Sequence, residues 1–117
     1  MRRLPGLTLT VVLAAAGCAT PPPPTAGAPA TLESLATYRS CAWDHLKPLQ
    51  ASNLSDSPMG VALMAEAACG QQRETVRSAV LAENAAHPRA DDFATSYAME
   101  ARRLILAEMA ESLLKRP

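Results

Sequence analysis

Residues 58–85 read PMGVALMAEAACGQQRETVRSAVLAENA. Val61, Met64, Ala65, Ala68, Cys69, Gln72, Val76, Ala79 and Val80 recur at spacings of three and four and share one face of a 3.6-residue wheel. Glu66, Arg73, Glu74 and Arg77 fall on the opposite, solvated face. The stretch reads as one amphipathic helix. Ser57 is its cap, and Pro58 stands at the first helical position, where a missing N–H costs nothing. His87-Pro88 stops it near Ala85.

A helix with one apolar stripe must bury it, and both flanks of this segment supply partners. Upstream, Thr31 with Leu32-Glu33-Ser34 opens a helix, and Leu32, Leu35, Ala36, Ala42, Trp43, Leu46 and Leu49 share its apolar face until Pro48 ends it near Lys47. Arg39 falls inside that arc. Either its stem lies along the core with the head in water, or it faces a buried carboxylate or anion. Downstream, a third helix runs from about Asp91 to Lys115, with Phe93, Ala94, Tyr97, Ala98, Ala101, Leu104 and Ile105 as its core stripe. No segment alternates with the period of a strand. The expectation is an all-α domain over residues 31–117, a small three-helix antiparallel bundle running up-down-up.

Such a core would be thin. The helices are rich in alanine, and the chain has four aromatic residues, Tyr38, Trp43, Phe93 and Tyr97. Domains of this size are often stapled, and Cys41 and Cys69 sit at the edges of the stripes of two helices that should pack as a hairpin. In an oxidising compartment the pair reads as a disulfide.

The amino terminus points to such a compartment. Met1-Arg2-Arg3 precedes an apolar run from Leu7 to Ala16, which is too short to span a bilayer and has the anatomy of a secretory signal over residues 1–17. Ala15-Ala16-Gly17-Cys18 resembles the lipobox of bacterial lipoproteins. The resemblance implies a diacylglyceryl group on the Cys18 thiol, cleavage before Cys18 and a membrane anchor. Ala19 in place of Asp implies the outer membrane by the sorting rule of that class. The alternative is cleavage at the A-x-A site Ala14-Ala15-Ala16, which would release a soluble periplasmic protein. Residues 18–30 then form the lipid-attachment cysteine and a tether. ATPPPPTAGAPA favours polyproline II, and its twelve residues reach at most roughly 37 Å.

The whole chain balances 11 basic against 11 acidic residues, so loss of Arg2 and Arg3 with the signal leaves a net charge of about −2. That balance leaves no basic patch for nucleic acid. Cys41 and His45 are four apart on one face and, with Cys69, could offer three ligands to a metal, with Arg39 nearby for a small anionic ligand. A fourth ligand is not evident, and an oxidised pair has no free thiolate. No serine-histidine-acid set or glycine-rich phosphate loop is present, so neither catalysis nor a cofactor is expected. His87 reads as a surface residue of a turn. Met59, Met64, Met99 and Met109 read as filling residues without metal-binding spacing.

Leu63, Leu81, Leu106, Met109 and Leu113 project away from the main stripes, and together they would form an interaction surface for an envelope protein or a second copy. The pattern Cys41 … Ala68-Cys69 resembles small uncharacterised helical exported proteins of proteobacteria over residues 38–84, which implies no activity. In architecture the chain is also similar to secretion pilotins, small disulfide-stapled helical lipoproteins. The reading is a non-catalytic lipoprotein facing the periplasm and acting through protein–protein contact.

Overall fold

The computed structural model describes residues 20–52 and 57–115. The signal, the lipobox and Cys18 lie outside the described residues. The domain is all helical, and no strand occurs among the described residues. Among the described residues there are four helices: α1 (Pro29–Ala51), α2 (Pro58–Ala67), α3 (Gly70–Glu83) and α4 (Ala90–Leu114). The expected second helix is thus two. None is long and apolar enough to cross a membrane.

The division falls at Ala68-Cys69. There the Cys69 N–H donates to the Glu66 carbonyl, a tighter i−3 bond that closes α2, and the Arg73 N–H donates to the Cys69 carbonyl to begin α3. Gly70, poor in helix propensity, follows immediately. The change of axis moves the buried face of α2. Val61 and Ala65 are buried as expected, but Ala62 and Glu66 join them, while Met64 is 46% exposed. Glu66, assigned by periodicity to the solvated side, is one of the most deeply buried side chains.

α1 begins two residues before Thr31. Ala28 stands at the cap and Pro29 occupies the first turn, so a proline of the spacer is also a helix initiator. Nor does Pro48 end the helix, which continues to Ala51. Proline removes one internal hydrogen bond, but only one turn remains beyond it. That turn is held by Leu49, which packs against the core, and by the Ser52 hydroxyl, which donates to the Leu49 carbonyl at 2.9 Å. Ser57 caps α2 as expected, accepting from the Gly60 N–H at 3.1 Å.

α1 and α4 run in the same sense, with α2 and α3 returning between them. α3 ends beside the start of α1, and the short turn from Asn84 to Arg89 then begins α4 at that same pole. Alanines at 42, 62, 65, 94 and 101 allow close approach of the helices, and Tyr38, Leu46, Val76, Val80 and Met109 fill the space between. Arg77 ties α3 to the first turn of α4 by an ion pair with Asp91 at 3.3 Å.

Candidate functional site

Cys41 and Cys69 form a disulfide between α1 and the α2–α3 junction, with Cα atoms 6.0 Å apart. Cys69 is wholly buried and Cys41 half-buried. His45, exposed on the next turn of α1, lies close to both sulfurs: Nδ1 is 3.7 Å from Cys41 Sγ and 3.9 Å from Cys69 Sγ. The same nitrogen is 2.9 Å from the Cys41 carbonyl, to which it donates when it carries the ring proton. The three side chains proposed as metal ligands therefore do converge. In the bridged state, however, the two thiolates are spent on each other, and Nδ1 is engaged by the backbone. Arg39 is not part of this group. Its guanidinium pairs with Glu108 on α4 at 2.9 Å, both side chains roughly half exposed.

The five residues expected to make an exposed apolar surface do not lie together on one. Leu106 and Met109 belong to the core, with Met109 wholly buried. Leu81 and Leu113 are half-buried against that core, and Leu63 alone is exposed. The cause is the phase of α4. Its buried residues follow Ala90, Ala94, Ala98, Ala101, Ile105 and Met109, with Leu106 and Ala110 widening the stripe toward its end, and Leu104 is turned outward.

That rotation creates a different apolar feature. Between α1 and α4 lies a groove of about 430 Å³ lined by Leu32, Leu35, Ala36, Tyr97, Ala101, Leu104 and Ile105. Leu32 and Leu104, each about half exposed, form its lips. The Arg39–Glu108 pair borders it, as does Glu100, which is bonded to Arg103 on its own helix. The volume lies in the range of ligand sites, and the lining is apolar with charges confined to the rim. No cysteine, serine or histidine lines it, so what it offers is contact and exclusion of water. Sequence periodicity named all seven of these apolar residues but assigned them to the core. An apolar arc on α1 and α4 wider than the neighbouring helices cover was the available signal.

Two polar centres escaped the sequence reading. Glu66 is held by the Tyr38 hydroxyl at 2.8 Å, by Arg102 at 3.0 Å and by Arg73. Burial would raise its pKa, but these partners outweigh that penalty and hold it below the ordinary carboxyl value. Burial first and the Glu66 carboxylate second push the Tyr38 phenol up to about 12. The second centre is Glu83, at the end of α3. It accepts from Thr25 Oγ1 at 2.8 Å, Gly27 N at 2.9 Å, Ala28 N at 3.0 Å and Thr31 Oγ1 at 2.8 Å. Asn84 beside it brackets Thr25, accepting from its N–H at 2.8 Å and donating to its carbonyl at 2.7 Å. α1 lacks a capping side chain of its own, and this carboxylate from 55 residues away supplies the negative charge its N-terminus favours. Desolvation opposes ionisation here, yet the bonds from Thr31, Thr25, Ala28 and Gly27 prevail and lower the carboxyl from 4.5 to about 2.

No family model, curated protein or solved structure matches this chain.

Proposed function

We propose that this chain is a lipid-anchored envelope protein, facing the periplasm, that works by holding another protein and not by catalysis. The groove between α1 and α4 is the observation that carries the binding half of this reading. Leu32 and Leu104 leave apolar surface in water beside a rim of charged residues, an arrangement suited to a partner's apolar side chains. The anchored half rests on the resemblance of residues 15–18 to a lipobox, and the Cys41–Cys69 bridge fits an oxidising compartment. By the class rule at Ala19, the membrane is the outer one.

A photo-crosslinking residue placed at Leu104 tests the binding half in intact cells. The expected result is one discrete protein adduct that disappears when Leu32→Asp is added, while the same probe at exposed Ser96 on α4 gives none. The mass of the adduct, and its absence from a concentrated sample of the purified protein alone, separate a foreign partner from a second copy. Absence of any adduct at Leu104 would overturn the reading. For the anchor, Cys18→Ser should move the protein from the membrane fraction to the soluble one and abolish labelling by palmitate. Unchanged membrane retention would refute lipidation at Cys18, and a soluble wild-type protein would favour cleavage at Ala14-Ala15-Ala16.

A second reading is a metal-binding module, favoured by the approach of His45 to both cysteines. It requires reduced thiols, so a thiol count on protein isolated under non-reducing conditions decides it: free Cys41 and Cys69 would revive it.

A further inference from the structure

The spacer between the lipid-bearing cysteine and the domain is expected to be long and free, but its second half is tied down. Thr25, Gly27 and Ala28 are bonded through backbone N–H groups to Glu83 and Asn84, and Thr25 also through its hydroxyl and carbonyl. Upstream of that clasp, Pro21, Pro22 and Pro23 border a cleft with Ala86, His87 and Pro88 of the α3–α4 turn. Among the described residues, the first point held by hydrogen bonds is thus Thr25, seven residues beyond Cys18. Fully extended polyproline covers that distance in only ~22 Å.

We infer that Glu83 and Asn84 act as a clasp that shortens the tether and turns the pole formed by the start of α1 and the α3–α4 turn toward the lipid surface. This rests on lipidation of Cys18. Magnitudes decide the orientation. α4 has 25 residues and is therefore roughly 38 Å long, about the length of the bundle. For the far pole, where α2 starts and α4 ends, to face the membrane, Thr25 would have to stand about that far above it. A spacer free as far as Ala28, the cap of α1, would reach roughly 31 Å and come within about 7 Å of this, whereas the clasped ~22 Å leash falls well short of it. The far pole is therefore kept off the lipid surface, the residues around Ala86–Pro88 are held within one leash length of it, and the α1–α4 groove opens along the flank of the bundle. Glu83 is half-exposed, while Asn84 and Thr31 are buried and Ala26 packs against the core, so the clasp joins the spacer to the bundle by polar and apolar contact together.

The test uses the mature lipoprotein purified from membranes and reconstituted into vesicles of phosphatidylethanolamine and phosphatidylglycerol that carry dansyl headgroups. In a Trp43→Phe background, Ala86→Trp reports from the near pole and Met59→Trp from the far one. Energy transfer to the headgroups should be several-fold stronger from position 86 than from position 59. Thr25→Pro removes the N–H and hydroxyl bonded to Asn84 and Glu83 while leaving every bundle residue intact, and Glu83→Ala removes the acceptor. Each change leaves the other's bonds in place, so the two combined should bring the signals toward equality. Equal transfer from both positions in the clasped protein, or transfer unaltered by Thr25→Pro combined with Glu83→Ala, would overturn the inference. Amide exchange at Gly27 and Ala28 in the unlipidated Cys18→Ser protein separates the two premises. Protection there that is lost in Glu83→Ala supports the clasp without any lipid, and unprotected amides sink it. Failure of the wild-type protein to bind vesicles, with those amides protected, would instead locate the error in the anchor and overturn the orientation.

Discussion

The Tyr38 hydroxyl donates to the Glu66 carboxylate at 2.8 Å in the middle of the bundle, joining α1 to α2. Arg73 of α3 and Arg102 of α4 close on the same carboxylate, so this one side chain of α2 is bonded to each of the other three helices. In a core built largely of alanine, dispersion contacts discriminate poorly between helix registers, because small residues resemble one another. A buried carboxylate with three specific donors does discriminate, since any shift leaves a charge unpaired in the interior. We assign to Glu66 the role of fixing register.

Removal of Glu66 should therefore cost more than its small volume suggests. Glu66→Ala leaves Arg73 and Arg102 facing an apolar gap, but both are about one-third exposed and can turn to water. The expected loss is about 3 kcal/mol, at the lower end for a broken buried pair. Tyr38→Phe should cost about 1–2 kcal/mol, through the lost donor to a charged acceptor. Urea denaturation monitored by circular dichroism measures both. The pH profile gives an independent check at the alkaline end. The Tyr38 pKa is raised in the folded state, from 10.0 to about 12, so its contribution is full below pH 10 and is lost as the pH rises toward 12. Tyr38→Phe should flatten the loss in that window.

Glu83 behaves in the opposite sense. Its folded-state pKa is lowered from 4.5 to about 2, so the clasp contributes fully above pH 4.5 and weakens as the pH falls toward 2. Amide protection at Gly27 and Ala28, corrected for intrinsic exchange, should hold down to about pH 4 and decline below it. In Glu83→Gln the carboxylate is replaced by a neutral amide with one acceptor oxygen, and protection should be weak at every pH. A pH-independent wild-type profile over this range would contradict the assignment.

These two carboxylates mark where sequence periodicity succeeded and where it ran out. The helical class, the up-down-up course and the pairing of Cys41 with Cys69 were legible because each rests on local patterning and on two cysteines flanking one hairpin. Glu66 was misplaced because the wheel assumed a continuous helix through Cys69 and Gly70. A two-residue irregularity there is enough to turn a solvated position inward. Glu83 was illegible for another reason: its partners lie 52–58 residues away, and spacing along one helix carries no information about the start of another. The same limit applies to Leu104 and Leu106. They differ by two positions on α4, and which one is buried depends on how the other helices pack around it.

The bridge between Cys41 and Cys69 should be needed for stability at modest denaturant concentrations. It closes a sequence separation of 28, which on the chain-entropy model stabilises the fold by about 3.5 kcal/mol. The double variant Cys41→Ser, Cys69→Ser should lose about that much, measured by urea denaturation against the oxidised protein. Cys69→Ser alone should lose at least as much, because it places a hydroxyl at a wholly buried position and leaves Cys41 unpaired. Oxidised protein no more stable than the double variant would show that the bridge does not hold the hairpin.

The final prediction separates the core from the groove on one helix. Met109 is wholly buried and Leu104 is 50% exposed, although the sequence assigns them to the opposite surfaces. Met109→Ala removes a large side chain from a core already poor in volume, where neighbouring alanines have no rotamers with which to fill the gap. The expected cost is about 3 kcal/mol. Leu104→Ala trims a lip of the groove that water already reaches, and should cost less than about 1 kcal/mol. The two substitutions should then reverse their order in binding. Leu104→Ala should weaken the crosslinked adduct while leaving thermal unfolding nearly unchanged, whereas Met109→Ala should lower the unfolding temperature without removing contact surface from the groove. Equal destabilisation by both would mean that Leu104 is a core residue after all, and the groove would lose its outer wall as a place for a partner.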